Sequence, residues 1–404
     1  MSSRPDAIFM QPAKRSARYE SFLIFLAPLI NSVAGIAIDL YAPSLPAIGR
    51  EFSVSAEMMQ NTISITLISY AVGQIFFGFM ADARGRRPSI IFGLSVFVAG
   101  SLLAVVATSI ETLMFARALQ GFAIGACQVV ARAVLVDTVK GDRFHVAIIY
   151  LSVAFGLGPV IAPFIGGHIE ENLGWRWNFA LYAVYGVAVL ATAFFGLRET
   201  LASTARRSIG TTLKGYLSII VHPRFLAAVT LLSASFTTFL IWNVIGPYIL
   251  QDRLGHGPAF FGTTALMVGV AYLGATLVNR ALVSTFDNQT RLIGGLALFA
   301  IGTIVTALGG ASIQLPFVLS GTIIVACAQG FIFSNSMSVS MSLFPDRAGA
   351  AASLQGCLML VGGSIATVII NSLPITSSLS ISTIFAALMI VAFVGYAGIR
   401  RTGS

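Results

Sequence analysis

Three polar side chains stand deep in apolar sequence: Asp39, Arg117 and Gln120. Asp39 lies in the run from Phe22 to Ile48, where the neighbouring acids are Glu20 and Glu51. An ionisable group near the centre of a membrane helix costs roughly 2.5 to 3.5 kcal/mol on insertion scales, so it faces a partner, a cavity or a transported species. Asp39-Leu40-Tyr41-Ala42-Pro43-Ser44-Leu45-Pro46 then places two helix-breaking prolines just beyond the acid, where the chain should leave the bilayer. Arg117, Gln120 and Gly121 fall on adjoining positions of one helical face by their three-and-four spacing. At 1.5 Å per residue, Arg117 is about 9 Å below the surface reached near Glu111, and Asp39 about 6 to 10 Å below its prolines. An acid and a base at similar depth are expected to pair. Burial favours the protonated carboxyl and a nearby guanidinium the ionised one, so moving Arg117 would change proton occupancy at Asp39. That is proton-coupling chemistry; the competing reading is a fixed structural ion pair.

The elements that must hold these groups are membrane helices. Of 404 residues, 56% are hydrophobic and 10% charged, with mean hydropathy +0.88, whereas soluble domains carry about 25% charged residues. Twelve runs approach the ~20 apolar residues that a bilayer demands: 21–48, 58–80, 88–108, 111–138, 144–168, 176–197, 225–250, 258–284, 291–310, 315–343, 347–371 and 377–399. The expected fold is therefore an all-α membrane protein of twelve transmembrane helices. A net charge of +9 suits nucleic acid only if it is gathered on a soluble surface. With the N-terminus inside, eighteen of the 24 Lys and Arg residues instead fall on the cytoplasmic side. Arg50, Arg176 and Arg253 lie in outer loops, and Arg117, Arg132 and Arg280 within spans. This is the positive-inside pattern, with both termini cytoplasmic and no nucleic-acid partner. Cys127, Cys327 and Cys357 all fall inside spans without metal-type spacing and read as small buried hydrophobes. The first 20 residues lack the apolar core and cleavage site of a signal peptide.

The longest polar interruption, 198–224, is basic and carries Ser and Thr, and it divides the spans six and six. Short matches recur across it. Asp82-Ala83-Arg84-Gly85-Arg86 returns as Asp287-Asn288-Gln289-Thr290-Arg291 at an offset of 205, Asp142-Arg143 as Asp346-Arg347 at 204, and Gln120-Gly121-Phe122 as Gln329-Gly330-Phe331 at 209. A duplicated six-helix unit is expected: a tail 1–20, a bundle 21–197, a linker 198–224, a bundle 225–399 and a tail 400–404. Such duplication puts a substrate site near the midplane between the halves, with access alternating as they rock.

Other constellations concern movement. Gly78, Asp82, Gly85, Arg86 and Arg87 surround the turn after span 2, where glycines permit a tight turn and close helix approach while acid and bases form state-dependent ion pairs. With Asp137 at the inner end of span 4 they form a candidate gate. In span 5, Gly158, Pro159, Pro163 and Gly167 imply kinks and close packing. The turn after span 2 resembles the loop motif of the major facilitator superfamily, and Arg117-Ala118-Leu119-Gln120-Gly121 the span 4 motif of its proton-coupled members. The span 5 pattern is similar to that of its antiporters. Asp39 to Pro46, Trp175-Arg176-Trp177-Asn178-Phe179, Gly246-Pro247-Tyr248, Asn279-Arg280 and Ala348 to Gly356 resemble the Bcr/CflA branch of drug:proton antiporters over nearly the whole chain. Two departures are Ala83, where a basic residue is usual, and Thr290, where the second copy lacks the glycine. The resemblance implies export of small, largely apolar drugs across a bacterial inner membrane, driven by proton entry. The alternatives are export of an amino acid, peptide or metallophore, or import.

Substrate contacts are expected among Asn31, Tyr70, Gln128, Tyr182, Phe239, Trp242, Asn243 and Asn335, with Gln74, Gln329 and Gln355 as further polar candidates. Trp242-Asn243 is favoured because a ring beside an amide both stacks and hydrogen-bonds. Asn279-Arg280 reads as interfacial snorkelling. An enzyme is disfavoured, since His145, His168, His222 and His256 sit near predicted helix ends in separate loops. No Gly-x-x-x-x-Gly-Lys-Ser/Thr run for ATP occurs. The expected working unit is a monomer in a lipid bilayer, handling a small molecule and protons without a cofactor or metal.

Overall fold

A computed structural model describes residues 17–201, 217–344 and 347–401. Most of the expected N-terminal tail and linker, Asp346 of the repeat and residues 402–404 lie outside the described residues. The helices are α1 (Ala17–Ile36), α2 (Leu45–Phe52), α3 (Ala56–Arg84), α4 (Arg86–Val105), α5 (Ile110–Thr138), α6 (Asp142–Leu173) and α7 (Trp175–Gly196). There follow α8 (Pro223–Pro247), α9 (Pro258–Ala281), α10 (Asn288–Ala307), α11 (Leu315–Ser342), α12 (Ala348–Asn371) and α13 (Ser378–Arg401). The described residues hold no strand. All but the short α2 contribute to twelve segments long and apolar enough to cross a bilayer; the seventh includes the π-helical Tyr248–Arg253 that follows α8. Twelve crossings return the chain to the face from which α1 starts, called here the terminal face; its opposite is the distal face.

One expected span is corrected. The run 21–48 is not a single helix: α1 stops at Ile36, residues 37–41 form turns, and Ala42–Ser44 make one 3-10 turn before α2. Pro43 and Pro46 each occupy the first turn of a new helix, where a missing N–H costs nothing. The prolines thus start new helices, and the break falls earlier, around Asp39.

Packing repeats along the chain. α3 and α4 both pack on α5, α4 on α7, and α1 on α5 and α6; likewise α9 and α10 pack on α11, α10 on α13, and α8 on α11 and α12. The two sets meet through α3 with α12 and α6 with α9. Toward the distal face this seam is tight. A Cβ on Gly262 would lie 2.6 Å from the Pro163 carbonyl, and one on Gly269 2.9 Å from Val160. One turn farther along the same stripe of α6, a Cβ on Gly156 would meet nothing within 4 Å. Polar links across the seam also gather distally: Arg50 pairs with Asp252 at 2.8 Å, Gln251 donates to the Pro43 carbonyl at 2.7 Å, and Asn371 donates to Asn61 at 2.9 Å. The distal end is closed. Outward faces carry Phe195, Leu277 and Val394 in the open, an apolar coat suited to lipid.

Candidate functional site

The break after α1 is braced by two neighbouring helices. The Tyr182 hydroxyl on α7 donates to the carbonyls of Ile36 and Ala37, both at 3.1 Å, satisfying groups that the interrupted helix leaves open. On α6, Gly166 packs so closely on the Leu40 carbonyl that no Cβ fits. Asn178 Nδ2 donates both to the Gly166 carbonyl, at 3.2 Å, and to Ser44 Oγ, at 2.9 Å. Tyr182, expected to contact substrate, instead holds the backbone that presents Asp39.

Asp39 is buried at 3% exposure, and its Oδ1 accepts Asn243 Nδ2 of α8 at 2.6 Å. The expected Asp39–Arg117 ion pair is not made, although Arg117 is near enough to act on the carboxylate electrostatically. The Tyr41 ring accounts for this: the guanidinium stands over it, 4.2 Å from the centroid, a favourable place for a desolvated cation. Arg117 Nη1 donates to Gln120 Oε1 at 2.7 Å, and Gln120 Nε2 to Ser101 Oγ of α4 at 2.8 Å. Arg117 Nε and Nη2 are buried without an acceptor. The Tyr41 hydroxyl pairs with Thr62 Oγ1 at 2.8 Å. In sequence Tyr41 is one residue of the Asp39 to Pro46 pattern, and nothing local marks its ring as the partner of Arg117.

Asp39 lines a cavity of ≈ 50 Å³ together with Tyr70, Gln74, Gln128, Phe155, Pro159, Phe236, Phe239, Met359 and Leu360. That volume admits water, whereas drug-sized sites need about 300 to 1,000 Å³, so the site is contracted in this state. Gln74 Nε2 donates to Gln128 Oε1; Gln74 Oε1 and the Tyr70 hydroxyl have no partner. Tyr70, Gln128 and Phe239 thus face the cavity, and Pro159, expected to serve movement, lines it as well. The other substrate candidates lie elsewhere. Asn31 Nδ2 ties α1 to the Leu151 carbonyl at 2.9 Å, and Trp242 packs against Phe261 with its Nε1–H unpaired. Asn335 donates to Asn279 Oδ1 at 3.1 Å near the terminal end of α9. Asn279 is itself buried and also accepts Arg291 Nη1 at 3.2 Å, which overturns the snorkelling reading for that residue; Arg280 is exposed. Phe236, Met359 and Leu360 were not foreseen, because apolar wall residues look like any lipid-facing stripe in sequence.

At the terminal face, Arg86 holds Asp82 at 2.5 Å and Asp137 at 2.9 Å. Gly85 makes the turn at φ 110°, where a side chain would be strained. Gly78 does not serve close approach: a Cβ there would meet only Val129 at an ordinary 3.8 Å. Arg87 reaches the last carbonyls of α7, with Nε on Leu197 at 2.8 Å and Nη2 on Phe194 at 2.9 Å. Gly158 packs against Gly35, and a Cβ on Gly167 would lie 2.5 Å from the Pro258 carbonyl, while α6 runs unbroken through Pro159 and Pro163. The second copy of the turn is wired differently. Asp287 caps α10 by accepting the Thr290 N–H at 3.2 Å, so Arg291 turns to neutral Asn279.

Glu199 is the residue that sequence reasoning missed here. Its carboxylate accepts the Arg86 N–H at 2.9 Å and the Arg87 N–H at 3.2 Å, capping α4, whose N-cap glycine has no side chain to do so. Burial pushes the Glu199 carboxyl up, but backbone N–H groups of Leu201, Arg86, Arg87 and Thr200 outweigh it and hold it below the usual glutamate range. A lowered folded value adds stability that is full above the ordinary pKa of about 4.3 and is lost as pH falls through the folded value. Glu199→Gln is expected to cost about 0.5 to 1 kcal/mol at neutral pH, with the difference from wild type vanishing in acid. Paired thermal melts across pH check this.

Among the described residues, no three His, Cys, Asp or Glu side chains are grouped to hold a metal. The Major Facilitator Superfamily model matches residues 29–367, and the chain belongs to that family. It is accordingly a transporter and not an enzyme. It is 30% identical over 326 residues to the multidrug resistance protein MdtL of Vibrio parahaemolyticus, covering 79% of this chain and 81% of the relative. It is 26% identical over 357 residues to an uncharacterized MFS-type transporter, YdgK of Bacillus subtilis, covering 86% and 88%. A crystal structure of a D-xylose-proton symporter superposes with TM-score 0.73 at 15% identity over 93% of this chain and 96% of that one. An inward-facing, unoccupied bacterial homolog of the lysosomal transporter Spinster gives 0.72 at 14% over 96% and 98%. These last two likenesses concern the fold alone.

Proposed function

We propose that the protein is a proton-coupled antiporter of the Bcr/CflA drug-exporting kind, in a bacterial inner membrane with both termini cytoplasmic. Two bundles, 21–197 and 225–399, would rock about the central cavity, and the distal closure then makes this the inward-facing state. The carrying observation is the Asp39–Asn243 hydrogen bond, which ties the first bundle to the second from a buried carboxylate. An ionised acceptor makes that bond charge-assisted and strong. A proton on Asp39 neutralises the acceptor and weakens it; a substrate in the cavity weakens it by displacement. Either ligand therefore releases the same link, and the empty ionised carrier stays locked, which is what exchange without leak requires. The spare donors on Arg117 await the carboxylate once Asn243 withdraws. The MdtL relatives, named as multidrug resistance proteins, support a drug as cargo.

The test is proton release from energised everted vesicles on addition of chloramphenicol, bicyclomycin or polar metabolites. Release with a drug supports the whole reading, release with a metabolite alone moves the cargo, and absence of release with every compound removes proton coupling. Asn243→Ala is expected to leak. Losing a charge-assisted bond of roughly 1.5 to 3 kcal/mol shifts the locked population by about tenfold or more, so an imposed pH gradient should decay faster in that variant without substrate.

A further inference from the structure

Arg132 is a membrane cation without a counter-charge among the described residues. It lies on α5, six residues before the helix ends at Thr138, about 9 Å from the terminal face. It makes no hydrogen bond or ion pair to any described residue, and Tyr70 is the titratable side chain near it. The acids that might have reached it are engaged: Asp137 and Asp82 by Arg86, Asp39 by Asn243. A lone guanidinium at this depth is costly unless it faces a wet cavity and a partner that comes and goes. Its place on the helix supplies the cavity. Arg132 is four residues after Gln128, hence on the same face, and Gln128 lines the space beside Asp39. Along that stripe exposure rises toward the terminal face, from half-buried Gln128 and Arg132 to Val136 at 46%. The Tyr70 hydroxyl is buried with no acceptor of its own. Beyond them the wall is apolar, with Phe239 and Leu240 of α8 and Leu360 of α12.

We propose that Arg132 recognises an oxyanion on the cargo, so that the transported compounds are amphiphilic organic acids whose carboxylate is held by Arg132 and the Tyr70 hydroxyl and whose apolar body lies on the α8 and α12 wall. Guanidinium suits this task, because its planar fork presents two parallel donors to a carboxylate, and it stays charged in either access state. The inference rests on the reading of the cavity as the transport site and narrows its substrate class.

Equilibrium binding tests it without a proton gradient. The full-length protein in phosphatidylcholine nanodiscs would be titrated at neutral pH with 2-naphthoate and with N-acetylphenylalanine, each against its methyl ester. Each acid should bind about tenfold or more tighter than its ester. Arg132→Gln should abolish the preference, Arg132→Lys should retain part of it, and added salt should weaken the acid alone. Equal binding of acid and ester by wild type overturns the proposal, as does failure of both acids to bind or survival of the preference in Arg132→Gln. The wild-type comparison stands even if a variant does not fold. Acid-selective binding through Arg132 with no substrate-evoked proton release would leave this inference intact and remove the antiport reading, so the two fail separately.

Discussion

Asp39→Asn is expected to abolish substrate-evoked proton release while leaving the protein folded and inserted. Asparagine matches the carboxylate in shape, and its Oδ1 can still accept from Asn243, as the weaker neutral acceptor that protonated Asp39 also is. What it lacks is a titratable proton. A proton crossing 100 mV supplies about 2.3 kcal/mol, which sustains roughly a fiftyfold gradient of a neutral substrate, and the variant should only equilibrate its cargo. The measurement is fluorescence of a pH dye in energised everted vesicles, beside a surface-accessible tag to verify insertion. Undiminished release in the variant would falsify the role of Asp39.

Gly166→Ala should be as damaging although it touches no ionisable group. The new methyl would collide with the Leu40 carbonyl, one residue beyond Asp39, and neither backbone is free to yield: α6 is a continuous helix and the break is pinned by Tyr182 and Asn178. Overpacking of this kind costs about 1 to 3 kcal/mol, seen as a lower melting temperature in detergent, and the shift of the Asp39 backbone should remove coupled transport as well. Gly156→Ala is the matched control on the same helix. Its methyl would meet nothing within 4 Å, and replacing glycine inside a helix gains up to about 1 kcal/mol, so its melt should equal or exceed wild type. Equal melts for the two variants would sink the close-approach account of Gly166.

The turn between α3 and α4 at the terminal face shows how far a repeat in sequence reaches. Asp82 to Arg86 and Asp287 to Arg291 look like copies, yet one aspartate serves an arginine and the other caps a helix. The difference follows from where the helices end. Asp82 lies in the last turn of α3, while Asp287 precedes the first turn of α10, where free N–H groups claim it.

Sequence by itself determined the class of this molecule. Twelve apolar runs of membrane-spanning length, an acid and a base inside them and the glycine turn after α3 are local features, fixed by the lipid's intolerance of unpaired polar groups. Tyr70, Gln128 and Phe239 were also legible as residues on inner faces. Tertiary structure alone decided the partnerships. Asp39 meets Asn243, 204 residues away, and Arg117 settles on Tyr41. Glu199 caps a helix that begins 113 residues earlier. Such choices depend on which helix faces meet and on what competes for each donor at that point, and periodicity along one helix carries no information about the side chain that arrives from another.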